Sequence, residues 1–383
     1  MKILIVRMYQ DVLNISNYNS QEIGLAKALI RKGHQCDIVL YTDKKEISIQ
    51  KMNMENGKAI TIYWMPARKI LKNCIYDKRL YELVKKYDVI QSTEYDQVGN
   101  LKLQKVTDNH MAIYHGPYQS YYPKIYNRKC LIIDFLYSFF PQFKNVQLIA
   151  KSNLAEKFLN KKGFKKVESI GVGLDAARFE TVHEPNDIVR KLISEKHKKN
   201  YKYLLYIGKI EDRRNIFFMI DILSKLSLED KNIRLVLIGK GEKYLKKCLH
   251  YARSLNVDKN IIYHDPMKQE ELANLYRCCD VFFFPSKYEI FGMVLLEAMY
   301  FGLPVITTMN GGSITLIKDQ ETGIICDLND VNSWCESIMN LFKDQKLRDK
   351  ISVNSSKLIK ENYTWDALSD KFVKVYESIL KNC

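Results

Sequence analysis

No apolar run in this sequence is long enough to cross a bilayer, which excludes a spanning helix. The nine cysteines contain no Cys-x-x-Cys pair, and Cys278 and Cys279 are adjacent on one element. That excludes a zinc ribbon or a disulfide framework and fits reduced thiols in a cytosol. The seven histidines show no His-Glu-x-x-His or comparable spacing, so no metal site is expected. No Gly-x-Gly-x-x-Gly follows the first apolar run, which argues against a dinucleotide-dependent enzyme. RNP, zinc-finger and helix-turn-helix patterns are missing as well, so nucleic acid is not an expected partner. Repeats of solenoid period and low-complexity tails are absent. The opening residues Lys2-Ile3-Leu4-Ile5-Val6 read as a buried strand rather than a signal sequence.

What is present is enough for two cores. The chain has 383 residues, 46% of them hydrophobic. Lys and Arg number 60 against 44 Asp and Glu, a net charge of +16. Such a charge attracts a phosphorylated substrate or an acidic membrane face, or it simply solvates the surface. Short apolar runs alternate with amphipathic stretches: Ile3 to Val6, Cys36 to Tyr41, Ile60 to Trp64, Val89 to Gln91, Met111 to Tyr114 and Gln147 to Ala150. After the polar stretch Glu184 to Lys202 the pattern restarts at Tyr203 to Ile207 and continues through Arg234 to Ile238, Ile261 to Tyr263, Val281 to Phe284 and Val305 to Thr308. This alternation predicts an α/β protein of two doubly wound parallel-sheet domains, 1–175 and 176–363. Residues Trp365 to Leu380 form an amphipathic helix with Leu368, Phe372, Val375, Tyr376 and Ile379 on one face.

The stretch from Phe284 to Ile317 is the densest in chemistry. Glu289 and Glu297 stand eight positions apart around a helix start. Gly292 marks the turn, Met293 to Tyr300 has helical spacing, and Gly302-Leu303-Pro304 stops it. A helix beginning at the end of a parallel strand aims free N–H groups and a positive dipole at its surroundings, which suits a phosphate. The two carboxylates can accept bonds from sugar hydroxyls on either side of a diphosphate, so the segment is suited to a nucleotide sugar.

This order of Pro-Ser, Tyr-Glu, Phe-Gly, Leu-Glu-Ala-Met, Gly-Leu-Pro and Gly-Gly resembles the donor signature of the family-four retaining glycosyltransferases (glycosyl transferases group 1). The resemblance implies the GT-B architecture, two Rossmann-like domains facing across a cleft: an acceptor-side domain (1–175), a donor-binding domain (176–363) and a terminal helix (364–383) crossing back. It also implies transfer of a sugar from a UDP or GDP sugar, with retention and without a metal or other cofactor. Glu297 would hold the ribose and Glu289 the sugar hydroxyls. Lys209 and Arg214, after Tyr206-Ile207-Gly208, take the family's two cationic places and would clamp the diphosphate, with Asn215 where the family has Gly. The amides of Gly292, Met293 and Val294 would cap it. Gly239 lies in the Gly-x-Gly turn Gly239-Lys240-Gly241, and Gly311 and Gly312 would let the backbone approach the ligand. Thr315 departs from the family's Glu. Tyr18 and Asn19 replace its Gly-Gly loop near the donor phosphates. His115, in Ile113-Tyr114-His115-Gly116-Pro117, matches a histidine that faces the reacting sugar. These departures leave open a catalytically silent GT-B protein acting as a partner or chaperone.

Residues 124–144 set Lys124, Arg128, Lys129 and Lys144 beside the block Cys130 to Phe140, which contains Phe135, Leu136, Phe139 and Phe140. Read as an interfacial segment, it predicts a cytoplasmic protein peripheral at the inner membrane face, using a lipid-linked or saccharide acceptor in surface polysaccharide or glycolipid assembly. Read as a core helix, it would be fully buried.

Overall fold

The computed structural model describes residues 1–15, 20–54, 57–70, 73–108, 110–179 and 184–381. The chain divides into two compact units, Met1–Asp175 with Thr364–Cys383, and Ala176–Tyr363.

The first unit contains β1 (Lys2–Val6), β2 (Gln35–Thr42), β3 (Ser48–Asn53), β4 (Ala59–Ile70) and β5 (Asn73–Tyr76). It continues with β6 (Val89–Thr93), β7 (Met111–His115), β8 (Gln147–Ala150) and β9 (Lys166–Ser169). The sheet order is β3-β4-β2-β1-β6-β7-β8-β9, with β5 paired to β4. Pairing is parallel from β4 through to β9, whereas β3 and β5 run antiparallel to β4. Ile3 to Val6 are fully buried, as a strand covered on both faces should be. The chain reverses its direction of winding between β1 and β6, and that switch point opens a crevice beyond the strand ends.

The terminal helix, Trp365–Lys381, completes this unit. Its buried face carries Leu368, Phe372, Val375, Tyr376 and Ile379. The Trp365 indole lies where neither Gly24 nor Gly173 has a side chain: a Cβ would come within 2.1 Å and 2.4 Å of the ring. Arg31 and Lys32 pair with Asp366 and Asp370 at 2.7 and 2.8 Å. The Tyr376 hydroxyl donates to Gln91 Oε1 at 2.6 Å.

The second unit holds β10 (Lys202–Ile207), β11 (Ile233–Ile238), β12 (Ile261–His264), β13 (Val281–Phe284), β14 (Val305–Thr307) and β15 (Ile324–Ile325). The order β12-β11-β10-β13-β14-β15 is parallel throughout. Its switch point lies between β10 and β13, where Leu204 pairs with Val281. The eight cysteines among the described residues are buried and free.

Candidate functional site

Beyond β13 the chain runs through Pro285 and Ser286 to Gly292, which caps the helix Met293–Tyr300 with φ of 83°. Only glycine takes that conformation at little cost. Met293 and Val294 occupy the first turn, where amides have no intrahelical acceptor. Gly311 and Gly312 press against this loop from the connection after β14. A Cβ on them would stand 1.9 Å from Ile290 O and 1.6 Å from Phe291 O, and Gly311 N donates to Glu289 O at 3.1 Å. On the side where a Cβ would stand, these glycines admit the protein's own loop backbone.

Gly239 acts in the same way at the end of β11, whereas a Cβ on Gly208, at the end of β10, would meet the Tyr206 hydroxyl at 2.9 Å. A Cβ on Gly239 would lie 1.7 Å from Gly208 O, so the two strand ends meet backbone to backbone.

After Gly208 come Lys209 and a short turn, Asp212–Arg214, ended by Asn215 in the left-handed region (φ 60°, ψ 42°). Asparagine tolerates this conformation, so it can replace glycine there. The turn delivers Arg214 to the β13 loop. Its Nη1 donates to the Glu289 carboxylate and lies 3.4 Å from Ser286 Oγ. Arg213 Nη1 stands 3.6 Å from the same carboxylate and donates to Tyr288 O at 2.9 Å. The Ile290 amide donates to Glu289 Oε1 at 3.2 Å. The two predicted residues therefore meet, with Arg214 on Glu289 rather than standing clear as a clamp. Lys209 is exposed. Arg213 escaped the sequence reading, although its adjacency to Arg214 was visible.

Glu297 is 0% exposed. Its carboxylate accepts from the Tyr276 hydroxyl at 2.8 Å and from Gln269 Nε2 at 3.3 Å, both from the helix Gln269–Cys278. The carboxylate expected to hold a ribose is an interior group in this structure, hydrogen-bonded as burial demands.

The first unit gathers a second set of polar residues at its own switch point. Glu94, at the end of β6, takes φ of 57°, uncommon for a non-glycine residue. Its carboxylate accepts from the Tyr9 hydroxyl at 2.5 Å and from Gly116 N at 3.1 Å, and Lys151 Nζ lies 3.4 Å away. Burial alone would raise its pKa, yet Lys151 and then His115 hold it below the usual carboxylate range. Burial and the adjacent Glu94 push the Tyr9 phenol well above its ordinary value.

His115 is also 0% exposed. Its Nδ1 lies 2.6 Å from Glu94, its Nε2 is buried without a hydrogen bond, and its ring stacks on Phe158 at 5.8 Å. The expected sugar-facing histidine is thus an interior partner of Glu94. Glu94, Asp96 and His115 bring ligating atoms within 4.8 Å of one another. Lys151 and Lys129 already sit on the two carboxylates, at 3.4 and 2.5 Å, so a cation would have to displace both. Glu94 and Asp96 also line a cavity of about 640 Å³, with Tyr9, Gln97, Tyr126 and Lys129 among its walls. Sequence reasoning named His115 but missed Glu94 and Asp96, though the polar end of a buried strand, Gln91-Ser92-Thr93-Glu94-Tyr95-Asp96, was their signal. Tyr18 and Asn19 lie outside the described residues.

The family model described as Glycosyl transferases group 1 matches residues 189–358, within the second unit. An uncharacterized glycosyltransferase of Methanocaldococcus jannaschii is 26% identical over 385 residues, covering 92% of each chain. The capsular polysaccharide biosynthesis glycosyltransferase CapM of Staphylococcus aureus is 28% identical over 240 residues, 61% of this chain and 59% of its own length. Several other curated relatives are matched over less than half of their own length. HepE of Anabaena, solved in complex with UDP and glucose, superposes with a TM-score of 0.74 at 15% identity, over 99% of this chain and 100% of its own. At that identity the likeness establishes the fold.

Proposed function

From the premise that this chain belongs to the glycosyl transferases group 1 family and has the GT-B fold, we propose that it is a retaining, metal-independent hexosyltransferase using a UDP or GDP sugar. The observation that carries the reading is the convergence of Arg213 and Arg214 on Glu289, three residues before the Gly292 helix terminus, at the switch point of the second unit. Cations and free first-turn amides at one place favour the charge that grows on a departing nucleoside diphosphate. In this reading the diphosphate draws Arg214 from Glu289, Lys209 adds its exposed charge, and the released Glu289 carboxylate accepts from sugar hydroxyls. Glu297 acts from the interior and sets the helix in place. The leaving phosphate itself takes the acceptor proton on the same face, so no protein nucleophile is required.

The acceptor is a saccharide or a lipid-linked saccharide taken up by the first unit, in surface polysaccharide or glycolipid assembly at the inner face of the cell membrane. Among the described residues no helix is long and apolar enough to cross a membrane. A panel of nucleotide sugars, read by release of the diphosphate, tests the reading. Release from none of them, with any candidate acceptor, overturns it. One observation favours a silent partner protein instead: Glu289 and Glu297 are both bound by the protein's own side chains. Thermal stabilisation by UDP or GDP decides between them, because a chain that binds neither gains no stability from either.

A further inference from the structure

The helix Lys124–Ser138 of the first unit is apolar on two opposite sides. Cys130, Ile133 and Tyr137 face the interior, where the Tyr137 hydroxyl donates to Tyr95 O at 2.7 Å and its ring meets Phe143 at 4.6 Å. The other stripe, Ile125, Leu131, Ile132, Phe135 and the capping Phe139, falls on one side of the helix and is between 64% and 74% exposed. Phe135 and Phe139 touch edge to face at 5.3 Å. A contiguous band of large apolar side chains in water marks a face that something covers.

The exposed charged residues of the helix are cationic. Lys124 and Arg128 are exposed along it. Asp134, the only acid in the helix, is paired with Lys162 of the next connection, beside exposed Lys161 and Lys165. A two-fold contact with a second copy would set these cations against themselves. An anionic leaflet matches both the apolar and the cationic residues, and a basic amphipathic helix lying in the interface needs this combination.

We propose that the exposed stripe of the Lys124–Ser138 helix docks on an anionic phospholipid bilayer. Resting on the transferase reading, the docking has a consequence for the acceptor. Lys124, Ile125, Tyr126 and Lys129, at the start of the same helix, also line the cavity of Glu94 and Asp96. An acceptor held in the leaflet would therefore enter that cavity from the docked side, its saccharide meeting tyrosine rings and carboxylates.

The test is sedimentation of the full chain with vesicles of phosphatidylcholine alone or mixed with phosphatidylglycerol, without nucleotide. Pelleting with the anionic vesicles that falls as salt rises is the expected result. The Phe135→Ser, Phe139→Ser double variant and, separately, Arg128→Glu should each weaken it about tenfold or more. Circular-dichroism spectra and urea-unfolding midpoints of these variants that match the parent chain show that they are folded. Equal pelleting with both vesicle types, or pelleting that survives the double variant, overturns the proposal. So does self-association, or capture of a protein partner, that the double variant abolishes while vesicles are ignored. Vesicle binding and sugar transfer are read separately, so loss of one leaves the other standing.

Discussion

The guanidinium of Arg214 rests on the carboxylate of Glu289, joining the connection after β10 to the loop after β13. The Nη1 of Arg214 and one carboxylate oxygen of Glu289 are committed to each other, so a ligand that takes either of these atoms must displace the other residue. In the proposed reading the pair couples phosphate binding by Arg214 to release of the Glu289 carboxylate.

Replacing Glu289 by Gln should act in opposite directions on two measurements. Diphosphate affinity should rise about fivefold, because Arg214 no longer has a competing anion and charged hydrogen bonds of this kind are worth about 1–3 kcal/mol. Turnover should fall about a hundredfold or more, as for a lost contact made in the transition state. Calorimetric titration with UDP and GDP, beside diphosphate release, checks both. Unchanged turnover would remove Glu289 from the reaction.

Lys209 is exposed, and Lys209→Ala should leave stability within about 0.5 kcal/mol of the parent. Its effect should fall on binding: nucleoside diphosphate affinity weakens by about 1.5–3 kcal/mol. A melting curve and a titration on one preparation separate the two. Unaltered affinity would leave the phosphates to Arg213 and Arg214.

Acid should loosen the first unit through Glu94. Its folded pKa lies below the ordinary 4.5, so the ionised form contributes stability that is fully present above that value. The contribution is lost as pH falls through the depressed folded value. Glu94→Gln should flatten this part of the acid-unfolding profile. It should also cost about 3–5 kcal/mol at neutral pH, since Lys151 is then buried without its counter-charge. Urea unfolding across an acid pH series measures both effects.

Gly24→Ala should destabilise the first unit by about 1–3 kcal/mol, because the new methyl must displace the Trp365 ring. Trp365→Ala should cost about 3–5 kcal/mol by leaving a cavity. The double variant should cost less than the sum, since the methyl then has room. Strict additivity in urea unfolding would show that the glycine and the indole do not share that space.

Periodicity made the helix Met293–Tyr300 and the buried face of Trp365–Lys381 legible in the sequence, because both are set by neighbours three and four residues apart. Strand β3 escaped notice because its two apolar residues, Ile49 and Met52, are separated by polar ones and five of its six residues are exposed, which leaves no apolar run. The helix Lys124–Ser138 was ambiguous for the opposite reason, since apolar residues on both sides hide which side is inside. The site was legible in its residue types and not in its pairings. Glu297 meets Tyr276 across 21 positions and Arg214 meets Glu289 across 75, and no local pattern encodes such partners. The same holds for Gly311 and Gly312, whose need for small size comes from a loop some twenty residues earlier.

The first unit is assembled from two separated pieces of chain, with the whole of the second unit between them. During synthesis, residues 1–175 emerge first yet lack the helix that covers Gly24, Gly173 and the face around Tyr114 and Gln91. The continuous piece Ala176–Tyr363 has all its partners as soon as it is made. The later half can therefore mature first, and the earlier half waits with an open apolar seam until Trp365 arrives. A ribosome that stalls or stops short of residue 364 would release a chain with one finished domain and one sticky one, a natural substrate for chaperones and proteases.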